Sequence, residues 1–369
     1  MDENIVVAGQ GVGRPPDELT LNVGGNALSG WEEIEVSLLL EGFPNSFSIA
    51  MSSQQPIGGD LIAKAGDPCS VMLGNDLVIT GYVDRDVTNG SATQHGISLI
   101  GRGKTQDLVD CSAEWPSGQL IQGTALDIAR KLALPYTIGV ELGDGAEPGP
   151  PVPQWCLNYS ETGATIIQRV ARNAGLLAYE DASGKLILGK AGSSSSSSGI
   201  AYGGNVQAWS VENSMDGRYS EVVCCSQSLA AWGDLPGSDF FDIEEDPNVP
   251  RHRRLDMVLE QVAENPQQFT IKKAIWEIAR RAGRASVVHA TVDSWRDGDG
   301  RLWLPNTMIP VDVPGLRGDR TLCISAVTFR KNSQTGTTAD LTLMPPYAFA
   351  PEPLSLLPIA AADVEGPPQ

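Results

Sequence analysis

From Leu19 onward apolar and polar residues alternate with a period of two: Leu19, Leu21 and Val23, then Ile34, Val36, Leu38 and Leu40, then Phe47, Ile49 and Met51. That spacing puts one side of each segment in a core and the other in water, which predicts β-strands. Short runs at Pro68–Leu73 and Leu77–Val83 continue the pattern into a long stretch, Leu77–Ala113. There Leu77, Ile79, Ile97 and Leu99 share a face, and Asn89-Gly90 offers the positive-φ turn of a hairpin. A Gly101-Arg102-Gly103 corner and a polar connector ending at Ala113 close a first β-domain, residues 1–113.

Between residues 114 and 192 the period becomes helical. Leu120–Leu134 carries Ala125, Ile128, Ala129 and Leu132 on one stripe, with Pro135 as its stop. After an acidic Gly/Pro loop, Thr162 caps a second helix with Ile166, Val170, Ala171 and Ala174 on its stripe, and Gly175 ends it. A hairpin turning at Asp181–Gly184 completes an α/β insert, and the tract Ser193–Ser198 reads as a flexible loop or linker.

Strand patterns resume at Val206–Val211 and Tyr219–Ser226, followed by an acidic loop, DFFDIEEDP. Residues 251–284 read as a helical segment broken at Pro266, with Ile271, Ile275, Ile278, Ala279 and Ala282 on one face of its second half. Residues 193–250 and 285–346 then form a second β-domain around this segment, and 347–369 is a Pro-rich tail. The stretch 77–100 matches 322–344 internally, with Leu77 on Leu322, Ile79 on Ile324, Arg85 on Arg330, and Ile97 and Leu99 on Leu341 and Leu343. The match fits either a duplicated β-unit or two unrelated hairpins of alternating residues.

Composition narrows the function. With 369 residues, two to four domains are expected. The net charge of −19 repels phosphate backbones and anionic lipid, which argues against sequence-specific DNA binding. No basic-then-apolar leader opens the chain and no apolar run approaches a membrane span, so synthesis in a reducing cytoplasm without membrane insertion is expected. The six cysteines have no C-x-x-C spacing, so free and mostly buried thiols are expected, including Cys224-Cys225.

Catalytic chemistry finds little footing. The run IVVAGQGVGRPP places two prolines where a phosphate-binding helix would begin. His95, His252 and His289 lack metal spacing, and no G-x-S-x-G elbow occurs. Asp297-Gly298-Asp299-Gly300 reads as a hairpin turn, since a calcium loop needs a later glycine and a distal glutamate. The acids of DFFDIEED and Glu32-Glu33 read as solvated. No catalytic residue, metal ligand or cofactor site is therefore assigned. Two partner-contact candidates remain: the basic cluster Arg251, Arg253 and Arg254, and the apolar tail residues Leu354, Leu356 and Leu357.

Three segments, GYVDRDV (81–87), GRGKTQDLVDCSA (101–113) and GDGRLWLPNTMIPVDVPGL (298–316), resemble the central baseplate hub proteins of contractile-tailed bacteriophages of the phage Mu type. The resemblance runs from about Leu19 to Tyr347. It implies a mainly β fold with two similar antiparallel β-barrels per chain, a small α/β domain and a helical segment, assembled as a ring-forming homotrimer. It also implies a structural, non-enzymatic role in the virion tail baseplate, after assembly in the host cytoplasm. In that role the hub joins a six-fold tail tube to a three-fold central spike, meets tape-measure and baseplate-wedge proteins, and passes DNA without binding it specifically. Such a bore should be lined by Asp, Glu, Ser, Thr and Gly, with Arg251–Arg254 and the basic face of Lys272–Arg284 at the outer surface or at subunit contacts. The oligoserine tract and residues 251–284 depart from the family pattern. The other readings are a tail-associated cell-wall hydrolase and the hub of a type VI secretion or tailocin spike.

Overall fold

The computed structural model describes residues 6–7, 17–53, 62–91, 95–115, 117–158, 160–227, 239–259 and 266–353. The alternating segments form a curled antiparallel sheet, and the fold is mainly β. From edge to edge its strands are Val6–Val7, Asn26–Ser29, Leu19–Val23, Pro68–Leu73, Asp76–Gly90, His95–Gly103, Ser46–Ser53, Glu33–Leu39, Thr321–Asn332, Gly336–Met344, Ser286–Val292 and Val206–Asn213. The two β portions share one ladder, because Ala326–Lys331 pairs antiparallel with Leu39–Ile34. Their inward residues accordingly form one core, in which Val36, Phe47, Ile49, Leu99, Val288, Val327, Phe329 and Leu341 are all buried. Burying such a side chain stabilises by about 1.5–3 kcal/mol, and a one-residue slip would turn every one of them to solvent, so the register is firmly specified.

Residues 105–190 form the α/β module. Its helix Ala125–Ala133 begins at a reciprocal cap, Thr124 with Asp127, and Gly163–Asn173 begins at Thr162 and is followed by Gly175 at φ 71°. The first helical run predicted from sequence is shorter than expected, since Gln119–Gly123 is a strand paired with Val152–Cys156. The strands Val140–Leu142, Leu186–Gly189 and Leu177–Glu180 make the module's small sheet.

Other sequence expectations are corrected as well. The acidic stretch after residue 238 is a strand, Asp239–Glu245, and the first half of the supposed helical segment is another, Arg254–Leu259. Both flank Glu221–Gln227, and Val222 and Cys224 of this sheet pack on Ala274 of the helix Pro266–Arg284, which starts at Pro266 instead of breaking there. The oligoserine tract is not free: Ser194–Ser195 pairs in parallel with Thr307–Met308, and Ser196 donates its N–H to the Met308 carbonyl at 2.9 Å. Asn89-Gly90 lies in strand instead of forming the turn, with Asn89 opposite Gly96 and Gly90 opposite His95. The tail's first residues pack: Ala348 and Phe349 are buried against Leu40, Cys323 and Met344.

The internally matched segments are both hairpins, but their registers differ. Ile97 faces Thr88, whereas its match Leu341 faces Val327 and not Ser333, the match of Thr88. Nor are the thiols mostly hidden. All six are free, with Cys69, Cys224 and Cys323 buried and Cys111 and Cys156 exposed.

Candidate functional surface

Where eight strands lie side by side, from Asp76–Gly90 across to Val206–Asn213, the face opposite the core is polar. Strand pairing assembles it in rows. One reads Tyr82, Arg102, Ser46, Ser37, Thr328, Asp340, Thr291 and Ala208. The next reads Arg85, Ile100, Ser48, Glu35, Arg330 and Thr338, and beyond it lies Val87, Ser98, Ala50 and Glu33. No lysine stands in these rows.

Its charges are mostly answered within the face. Arg330 donates to Glu35 at 2.5 Å and to Asp340 at 2.8 Å, and Thr291 donates to Asp340 at 2.6 Å. Arg102 is held by Asp84 at 2.5 Å and Asp110 at 2.7 Å, which raises its already high pKa. Ser37 and Thr328 are 3.1 Å apart across the seam between the two β portions. Arg85 is the exception, exposed and unpaired among the described residues; elsewhere small hydroxyls and the two neutralised guanidinium groups leave few donors for a passing phosphate.

The α/β module is fixed to this sheet by neighbouring residues of one strand. The buried Glu180 carboxylate accepts the backbone N–H of Asn45 at 2.9 Å and of Thr105 at 3.0 Å. Burial pushes its pKa up to about 7, against the lowering pull of those two N–H groups. Gly103 makes the space, because a Cβ there would sit 1.9 Å from Glu180 Oε2. Gly101 is equally constrained, with Tyr82 O 2.3 Å and the Phe47 ring 2.4 Å from a Cβ position. Next along the strand, Tyr179 accepts from Asn306 Nδ2 at 3.3 Å. Asn306, at φ 67°, also donates to Lys190 O at 3.0 Å and Ser193 Oγ at 2.8 Å and accepts from Gly192 N at 2.6 Å. Two of the motifs that carried the family resemblance are thus the sockets that hold the module.

The predicted partner-contact residues are scattered. Arg251 is exposed, while Arg253 lies over the Tyr219 ring and donates to Asp216 O. Arg254 pairs with Asp256 at 2.8 Å. Leu354, Leu356 and Leu357 lie outside the described residues. On the basic helix face Lys272 and Arg284 are exposed, and Arg284 also pairs with Glu41 at 2.5 Å and donates to Ala348 O at 3.2 Å within the chain. Trp276 donates to Ala350 O at 2.7 Å, and Lys273 pairs with Glu352. Gly283 leaves the room Ala348 needs, since a Cβ there would lie 2.7 Å from the Ala348 nitrogen.

Three family models match successive parts of the chain: Mu phage baseplate assembly protein GpP-like, N-terminal, over residues 18–103; baseplate hub protein gp44-like, second domain, over 105–190; and Mu phage baseplate assembly protein GpP, fourth domain, over 267–352. Together with the continuous sheet they define a phage tail baseplate protein. Baseplate hub protein gp44 of Escherichia phage Mu is 29% identical over 343 residues, covering 90% of this chain and 88% of that one. The 43 kDa tail protein of prophage MuSo2 from Shewanella oneidensis superposes with a TM-score of 0.80 at 29% identity, over 90% of this chain and 99% of its own. A tail protein from Neisseria meningitidis MC58 shares the fold, with a TM-score of 0.71 at 24% identity over 91% and 98% of the two chains. The chain belongs to the Mu-type baseplate hub family.

Proposed function

We propose that the chain is a structural, non-enzymatic hub that works as a homotrimer, adapting a six-fold tail tube to a three-fold spike, with the polar eight-strand face lining the passage for DNA. The observation that carries this is the face itself: hydroxyls, acids and two internally paired arginines, Arg102 and Arg330, spread across both β portions. Arg85 is the one arginine of these rows left unpaired among the described residues. A wall of that chemistry offers phosphate little counterion release. The sheet also ends in two open edges among the described residues, Val6–Val7 at one side and Val206–Asn213 at the other. Copies joined edge to edge in a ring would satisfy both.

In this reading the hub resides in the virion's tail baseplate after assembly in the host cytoplasm. Spike and tube proteins are its direct partners, and tape-measure and wedge proteins are further neighbours. The test is the mass of the purified full chain by light scattering, followed by imaging of the assembled particle. A species of three 39.1 kDa chains is expected, with the polar face toward the bore. A monomer or two-fold dimer as the sole form within the particle overturns the reading.

A further inference from the structure

Among the described residues, the sheet formed by Glu221–Gln227, Asp239–Glu245 and Arg254–Leu259 packs one face inside the chain. On that side Val222, Cys224, Leu255, Met257 and Leu259 pack toward Ala274 and Ile278 of the helix Pro266–Arg284. On the other side the register aligns Phe241, Cys225 and Val258 in a row across three strands, followed by Ile243, Val223 and Asp256. Phe241 is 69% exposed, Val258 73% and Ile243 45%. Adjacent strands lie about 4.8 Å apart, so the row is an apolar strip roughly 10 Å wide. Its border is acidic: Glu245 and Glu221 make the third row with Arg254, whose guanidinium is already taken by Asp256.

The same chain exposes a surface of the opposite character. At the end of helix Ala125–Ala133, Leu134 is 74% exposed and the following Pro135 is also exposed. Arg130 and Lys131 occupy the last turn behind this apolar corner. A flat apolar strip with an acidic border and an apolar knob with a basic base are complementary in sign and chemistry. They are different surfaces, so joining them is head-to-tail, the arrangement that closes rings.

We propose that the Phe241–Cys225–Val258 strip receives the Leu134–Pro135 corner of a neighbouring copy of this chain. The contact rests on the trimeric reading given above and names a surface for it. Water leaves the strip and the knob on contact, and Arg130 with Lys131 comes to face Glu221 and Glu245.

The experiment uses full-length protein and light scattering across a dilution series. Phe241→Glu, Val258→Glu and Leu134→Glu each place a charge at an exposed site, so thermal midpoints should stay at the wild-type value. Each is expected to raise the dissociation constant of the trimer by at least about tenfold, the equivalent of losing one good apolar contact. A chain carrying both Leu134→Cys and Val258→Cys should, on mild oxidation, yield linked trimers with peptides joined between those two positions. If the wild type is trimeric and the three variants remain equally trimeric, this contact is wrong while the trimeric reading survives. Weakening by the Phe241 and Val258 variants but not by Leu134→Glu also overturns it, since the strip then holds some other surface. A wild type that is monomeric at every concentration and in the particle overturns both.

Discussion

The carboxylate of Glu180 accepts the backbone N–H of Asn45 at 2.9 Å, joining the α/β module to a first-domain residue 135 positions earlier. Asn45 returns a bond from its side-chain nitrogen to the Glu180 carbonyl at 3.3 Å, so the strand and the loop are tied at two points. With Tyr179 on Asn306, one short strand fixes the module against both β portions. The module's position relative to the polar face is therefore set by hydrogen bonds as well as by packing.

The tie should be sensitive to pH in one direction. Glu180 titrates at about 7 in the folded chain, against 4.5 when solvated. A carboxyl whose pKa rises on folding stabilises most below its solvated value, and that contribution is lost as pH climbs through the folded value. Stability should therefore fall between about pH 4.5 and 7, by about 3 kcal/mol at most from this group. Glu180→Gln should flatten this part of the curve. It should also cost about 1–2 kcal/mol in acid, because an amide offers one acceptor to two N–H groups. Thermal midpoints of both proteins from pH 4 to 8 check this; parallel profiles would refute it.

Asn306 is the second tie. Replacing it by Ala removes the bonds to Gly192, Lys190 and Ser193 and places a side chain with little taste for positive φ at 67°. A loss of about 2–4 kcal/mol in urea unfolding is expected. Asn306→Gly restores conformational freedom and should recover part of it, so the difference between the variants separates strain from bonding. Tyr179→Phe should cost less, about 1 kcal/mol. Equal losses for Ala and Gly would mean that the backbone angle contributes nothing.

These ties show where sequence reading succeeds and where it stops. Thr162 and Gly175 mark their helix plainly, and the alternation at Ile34–Leu40 marks its strand. Arg254–Leu259 was ambiguous because Leu255, Val258 and Leu259 fit a helical stripe as well as Leu255, Met257 and Leu259 fit a strand. Ser193–Ser198 has no side-chain pattern, and its order comes from backbone pairing with Thr307–Met308 and from hydroxyl bonds to distant residues such as Asn306 and Asp297. Gly101 and Gly103 stand out in the sequence, but nothing local says that Glu180 fills the space. The polar face is the least legible, since Ser37 meets Thr328 only after 291 residues.

Thiol reactivity should sort the six cysteines into classes. Cys111 and Cys156 are exposed, whereas burial pushes Cys69 to about 12 and Cys224 and Cys323 to about 11. A thiol held that high carries almost no thiolate at neutral pH. Alkylation of native protein should label Cys111 and Cys156 first, and Cys69, Cys224 and Cys323 only on unfolding. Mass mapping of labelled peptides reads this directly, and early labelling of Cys323 would contradict the packing around it.

The polar face makes the most discriminating prediction. Arg330 is its central cation, and both of its partners, Glu35 and Asp340, are carboxylates on the adjoining strands. While they hold it, a phosphate must displace an existing ion pair to gain a contact. Converting both to their amides, Glu35→Gln with Asp340→Asn, frees the guanidinium and removes two repelling charges from each copy. Ser48→Lys with Ser98→Lys adds two cations per copy directly. The wild-type assembly should leave duplex DNA unretarded in a gel at ordinary salt. Both double variants should retard it, with binding that falls steeply as salt rises, since each phosphate contact contributes about −0.9 to the slope of log K against log salt. The lysine variant should show the steeper slope, because its cations have no carboxylate to return to. Retardation by the wild type would mean that the face is adhesive to DNA. Two variants as inert as the wild type would place the face away from the passage, leaving the net charge of −19 as a matter of solubility alone.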